Sequence, residues 1–152
     1  MVLMKVKIKK YFKEFIGFIV ILFIVTNIMS FYRASSLHVN DEICADGSDI
    51  VYFWATWCPV CKIESSNIDL LSKYYKVKTI AVKSKESEIA IYKKEHKFGF
   101  DVINDKDGIL AQKAGVNIYP TIVTCKNKKV YFSDVGYTST FGLVLRHYLA
   151  GF

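Results

Sequence analysis

Hydrophobic and polar positions divide this chain into a long apolar stretch near its start and a series of short, patterned segments after it. From Phe15 to Tyr32 no side chain is charged, and as a helix those 18 residues would run roughly 27 Å, close to the ~30 Å hydrocarbon layer of a bilayer. A domain this small could not cover such a helix on every side, so the pattern predicts one N-terminal transmembrane helix over residues 15–32. Residues 33–48 are polar and read as a tether, with an edge strand expected near Leu37 to Val39. Ile50 to Ala55 is a continuous apolar and aromatic run, the pattern of a strand buried on both faces. Ile63, Ile68, Leu70, Leu71 and Tyr74 recur at helical spacing and predict a helix over Pro59–Tyr75 with those residues inward.

A second inner strand is expected over Val77–Val82. A helix follows over Lys85–Lys97, with Ile89, Ile91 and Tyr92 inward and Gly99 as its stop. Phe100–Asn104 reads as a short strand and Asp107–Ala114 as a short helix closed by Gly115. Thr121–Cys125 and Val130–Val135 flank the polar turn Lys126-Asn127-Lys128-Lys129 and predict a hairpin. Thr138 to Ala150 closes the chain as a helix capped by Thr138 or Ser139. The order predicts an α/β fold with a mixed central sheet and helices on both faces. The division is residues 1–32, a basic flank and signal anchor, and residues 33–152, one folded domain.

The formal charge of +7 changes meaning once it is divided. Residues 1–32 hold five lysines and one glutamate; the remainder has 16 basic and 13 acidic residues, an ordinary surface. Lys5, Lys7, Lys9, Lys10 and Lys13 precede the apolar stretch and should stay cytoplasmic, which sends the domain outward. The exit Ile28-Met29-Ser30-Phe31-Tyr32-Arg33-Ala34 lacks the small residues of a cleavage site, so the anchor is expected to remain uncleaved. The expected location is a single pass through the cytoplasmic (inner) membrane, with the domain in the periplasm or outside the cell. No basic stripe with interleaved aromatics appears, which argues against nucleic acid as a partner.

Cys58-Pro59-Val60-Cys61 follows the apolar run and opens the helix. Unpaired N–H groups and the positive end of the dipole at a helix start favour thiolate over thiol. Cys58 is therefore expected to attack a substrate disulfide and Cys61, one turn inward, to resolve the mixed disulfide. A static disulfide and a zinc half-site are competing readings, but Cys44 and Cys125 supply no second ligand pair at the spacing zinc wants, so no resident metal is expected; a module that handles a soft ion such as copper through the two thiolates stays open as an alternative function. The Thr-x-x-Cys of a peroxidase is absent from the sequence.

With Trp57-Cys58-Pro59-Val60-Cys61 after a strand and Tyr119-Pro120-Thr121 before a hairpin, the chain resembles the thioredoxin superfamily over nearly all of residues 37–152. Phe53-Trp54-Ala55-Thr56-Trp57-Cys58 and Asn104-Asp105-Lys106-Asp107-Gly108-Ile109-Leu110-Ala111 look most like its TlpA/DsbE branch of exported, membrane-anchored thiol-disulfide oxidoreductases. The resemblance implies a thioredoxin fold, a redox-active Cys58–Cys61 disulfide as the sole cofactor, and exported protein disulfides as substrates, in cytochrome c maturation among other settings. It also implies a transmembrane electron donor, and Pro120 as a cis-proline that presents the backbone of Tyr119 to substrate beside Trp57. A disulfide oxidase or isomerase is the alternative. Plain thioredoxins carry a buried Asp where Tyr52 stands, related members often a proline where Ser66 stands, and Val60 replaces the proline of TlpA-like proteins or the histidine of strong oxidants.

Without an acid at Tyr52, Glu64 is the candidate for relaying a proton to Cys61; an ordinary acid in an early helical turn is the other reading. On the implied topology Cys44 and Cys125 fall at one end of adjacent strands, which leaves open a structural disulfide or two separately buried thiols. Trp54 is expected beneath the site. His38, His96 and His147 share no ligand spacing and read as surface or packing residues.

Overall fold

The computed structural model describes residues 11, 13–21, 25 and 38–150. Residues 13–21 are helical and carry exposed Phe15, Phe18 and Ile21, but much of the expected 15–32 span lies outside the described residues. Among the described residues no helix is long and apolar enough to cross a membrane.

The domain enters through a 3-10 turn, Asp41–Cys44. No strand forms at His38 or Val39 where an edge strand was expected; Asn40 instead donates its N–H to the Ala114 carbonyl at 3.1 Å. Five strands follow: β1 (Ile50–Trp54), β2 (Val77–Val82), β3 (Val102–Asp105), β4 (Thr121–Lys126) and β5 (Lys129–Val135). They pair in the order β3-β2-β1-β4-β5, with β1, β2 and β3 parallel and β4 and β5 antiparallel to their neighbours. The helices are α1 (Pro59–Leu71), α2 (Glu86–His96), α3 (Ile109–Ala114) and α4 (Thr140–Leu149).

All five β1 residues are buried because both faces of the strand are covered. Ile50, Tyr52 and Trp54 pack against Ile68 and Leu71 of α1, Ile89 and Tyr92 of α2, and Leu143 of α4. Val51 and Phe53 pack on the other face with Cys44 and with Ala111 and Ala114 of α3. The sheet is therefore mixed and covered on both sides.

Several boundaries and faces differ from the sequence reading. Helix α1 stops at Leu71, and its buried side is Cys61, Glu64, Ser65, Ile68 and Leu71; Ile63, Leu70 and Tyr74 are exposed. Polar residues can face inward here because each finds a bonding partner there. Ile91 is exposed while Ile89 and Tyr92 are buried, and Lys97, at φ 56, ends α2 two residues before Gly99. Asp105 caps α3, its carboxylate accepting the N–H groups of Leu110 (3.1 Å) and Ala111 (2.9 Å). Gly115 at φ +78 must lack a side chain, since a Cβ would lie 2.6 Å from the His38 carbonyl oxygen. The hairpin turns through Asn127 and Lys128, both at positive φ, as a two-residue loop requires. Ser139, rather than Thr138, caps α4 by accepting the Gly142 N–H at 3.2 Å.

Candidate active site

Strand β1 delivers the chain to Cys58, which is the N-cap of α1 in extended backbone; Pro59 takes the first helical position, where its missing N–H costs nothing. The Cys58 sulfur accepts the Cys61 N–H at 3.1 Å, and the two cysteines are joined as a disulfide with Cα atoms 5.3 Å apart. Cys58 is the more accessible member, 5% exposed against 0% for Cys61. Helix α1 has no acid in its first turn, so its positive end is not offset locally. The arrangement suits a sulfur that leaves as thiolate.

Two aromatic residues flank the pair. Trp57 is 59% exposed, donates its Nε1–H to the Lys83 carbonyl at 3.3 Å and meets Tyr119 edge-on with ring centroids 6.0 Å apart. The Tyr119–Pro120 peptide is cis. The Pro120 carbonyl accepts the Gly136 N–H at 2.9 Å, while the Tyr119 main chain enters no backbone–backbone bond among the described residues. Trp57, Tyr119 and the redox pair thus share one end of the sheet. Trp54 is fully buried below, near Tyr92 (5.1 Å) and Phe100 (6.2 Å).

Beneath Cys61 the buried acid of plain thioredoxins is replaced by hydroxyls. Tyr52 donates to the Cys61 carbonyl at 3.0 Å, and the Ser65 hydroxyl donates to the same oxygen at 2.8 Å. Burial pushes the Tyr52 phenol far up, so it stays neutral and acts as a donor. Glu64 lies one turn beyond Cys61 on the same buried face, wholly enclosed, and accepts the Thr138 N–H at 3.0 Å. Burial raises its carboxyl to about 7, with Asp134 adding to the rise and the bonds from Thr138 and Asn67 opposing it. Asp134 of β5 is itself 1% exposed and is met by the Arg146 guanidinium of α4 at 2.9 Å. Burial also raises the Asp134 carboxyl, against the pull of Arg146. Tyr52–Ser65 and Asp134–Arg146 were not anticipated from sequence, although inward placement of a tyrosine on β1 and an aspartate late in β5 was the available signal.

The structure joins Cys44 and Cys125 by a second disulfide at the far end of the sheet. Five β1 residues, about 17 Å of strand, lie between that end and the redox pair. His96 stacks near Phe98 and His147 meets Tyr75 edge-on, so both take part in ring packing, and His38 lies beside Gly115. Among the described residues no group of three or more His, Cys, Asp or Glu side chains could hold a metal ion.

Comparison with known proteins agrees with this geometry. A thioredoxin-like protein of Haemophilus influenzae is 29% identical over 96% of this chain and 98% of its own length. A secreted disulfide oxidoreductase of Mycobacterium tuberculosis, homologous to E. coli DsbE, superposes with a TM-score of 0.57 at 20% identity, covering 66% of this chain and 79% of that one. A pneumococcal exposed lipoprotein thioredoxin from Streptococcus pneumoniae gives 0.56 at 22%, covering 66% and 82%. Residues 36–137 match the AhpC/TSA family, and the chain belongs to it, as a thioredoxin-like thiol-disulfide oxidoreductase.

Proposed function

We propose that this oxidoreductase is exported and membrane-tethered, and that it reduces disulfides of extracytoplasmic proteins through Cys58 and Cys61. The observation that carries the direction is the seat of Cys58. Its sulfur accepts one backbone N–H, and among the described residues no side-chain donor is bonded to it. Strong disulfide oxidants owe their potential to a heavily stabilised thiolate in the reduced form. A sulfur held by one main-chain donor and the partial charge of a helix start favours the reducing end.

In the reduced protein the Cys58 thiolate attacks one sulfur of the substrate disulfide, forming a mixed disulfide and expelling one substrate thiolate. The Cys61 thiolate then attacks the Cys58 sulfur; the Cys58–Cys61 bond forms and the second substrate thiolate leaves. Two electrons have passed to the substrate, and a transmembrane donor supplies two more, which break the Cys58–Cys61 bond and restore the dithiol. Trp57, Tyr119 and Pro120 present the substrate, the free Tyr119 main chain offering donor and acceptor to its backbone. Glu64, with a carboxyl near neutrality one turn from Cys61, relays the proton that Cys61 loses.

The exposed apolar surface of residues 13–21, the five lysines around it and the buried Cys44–Cys125 disulfide support the tether and the oxidising side of the membrane. The M. tuberculosis and S. pneumoniae relatives are a secreted and an exposed protein. Replacing Cys61 with Ala is expected to accumulate a Cys58–substrate mixed disulfide, visible as a reducible high-mass adduct by non-reducing electrophoresis. A variant that keeps a reactive Cys58 and traps nothing would contradict the assignment.

A further inference from the structure

An open cleft of about 380 Å³ runs between the start of α1 and α2, and Trp57 lines it while Tyr119 does not. Trp57, Ile91 and Tyr92 form its apolar walls, and Glu88, Glu95 and Lys62 stand at its edge. It joins the redox motif directly, because Thr56 and Trp57 line it and Thr56 is only two residues, no more than about 7 Å of chain, from Cys58. A substrate chain whose cysteine reaches Cys58 would lay its next residues in or beside this cleft.

Glu88 gives the cleft its chemistry. The Thr56 hydroxyl donates to its carboxylate at 2.8 Å, and Thr56 is in turn tied to Ser84 through its N–H (3.1 Å) and its hydroxyl (3.3 Å). The bond from Thr56 is the main cause that holds the Glu88 carboxyl below its ordinary range, so it is ionised in neutral solution. Its only ion-pair neighbour among the described residues is Lys85 at 3.6 Å, both exposed, a pairing worth little in water. Glu95 makes no ion pair among the described residues, and Lys62, the one cation of the lining, sits on the α1 side. A fixed carboxylate beside the exposed Trp57 indole suits a planar guanidinium, which can donate to both carboxylate oxygens and stack on the ring; an ammonium does the first less well and the second weakly.

We propose that this cleft binds an arginine side chain close to the reacting cysteine of the protein disulfide, and so selects substrates by the charge beside their cysteines. The inference rests on the oxidoreductase reading above. It is tested with reduced full-length protein in detergent and a set of symmetric peptide disulfides, each with Arg, Lys, Gln or Glu at one of the three positions on either side of the cysteine. Their second-order reduction rates are followed by chromatography at low and high salt. At one position at least, Arg is expected to exceed Glu by roughly tenfold, with Lys between, and the ratio should shrink in high salt. In Glu88→Gln the ratio should fall toward one, in Glu88→Lys it should invert, and Glu88→Asp should restore part of it. Equal rates for all peptides in the wild type, or a preference unchanged in Glu88→Gln, would overturn the inference. So would a preference lost only as the protein self-associates, which would give the cleft to a second copy. Reduction of no peptide at all would instead overturn the proposed reducing function beneath it.

Discussion

The Cys58 sulfur is at once the N-cap of α1 and half of the disulfide, so breaking the bond leaves a thiolate already facing an N–H and the helix start. Around it the polar residues are assigned by environment more than by type. Tyr52 keeps its proton and grips the Cys61 carbonyl, whereas Glu64, fully enclosed, has a carboxyl raised to about 7. Because that value lies above the ordinary 4.5, folding favours the neutral acid. The stabilisation is whole below the unfolded pKa and is lost as pH rises through the folded one, up to about 3 kcal/mol at full effect. Glu64→Gln should therefore lose less stability than the wild type between pH 5 and pH 8 in urea unfolding; parallel curves would show that the carboxyl is not raised. In the same variant, Cys61 reactivity should lose a pH dependence near 7 if the proton passes through Glu64, and an unchanged profile would reduce Glu64 to a structural acid. Cys58, Cys61 and Pro120 were legible because their spacing and type announce them. The Tyr52 grip was not, since nothing in a strand sequence says which hydroxyl a phenol meets.

Helix α1 shows how an element can be found while its face is misread. Its apolar residues suggested an inward side of Ile63, Leu70 and Tyr74, yet these are exposed and the buried stripe runs through Cys61, Glu64 and Ser65. Hydrophobic spacing could not anticipate this, because Glu64 and Ser65 are accommodated by an N–H from Thr138 and a carbonyl from Cys61. The hairpin, by contrast, was read nearly to its ends, since a short polar turn between β-branched runs is a local signal. Helix α4 is bound to β5 by Arg146 and the buried Asp134. Arg146→Leu leaves that carboxylate without its cation and should cost roughly 3 kcal/mol in chemical denaturation, with Asp134→Asn in the same chain recovering most of it. A loss under about 0.5 kcal/mol would mean the pair behaves like a surface ion pair.

Taken whole, the molecule separates two disulfides by the length of its central strand. Cys58–Cys61 sits where β1 ends and the loop of Tyr119 and cis-Pro120 returns; Cys44–Cys125 closes the opposite end, across 81 residues of sequence. By loop-closure entropy the second bond contributes about 4 kcal/mol, which leaves the first free to cycle without loosening the sheet. The order of strands and helices was legible because each segment carries its own periodicity. The Cys44–Cys125 pairing was not fixed by sequence, since it depends on the antiparallel register that sets Ile50 opposite Thr124. The proposed membrane anchor over residues 15–32, the proposed extracytoplasmic location and the proposed reducing direction form one account. Its central claim is that electrons leave this protein toward its substrates. The most direct test is the equilibrium reduction potential of Cys58–Cys61, read by mass after thiol alkylation in glutathione or dithiothreitol buffers. The account predicts a value near that of thioredoxin, about −270 mV, and a value near −120 mV, that of a strong disulfide oxidant, would contradict it.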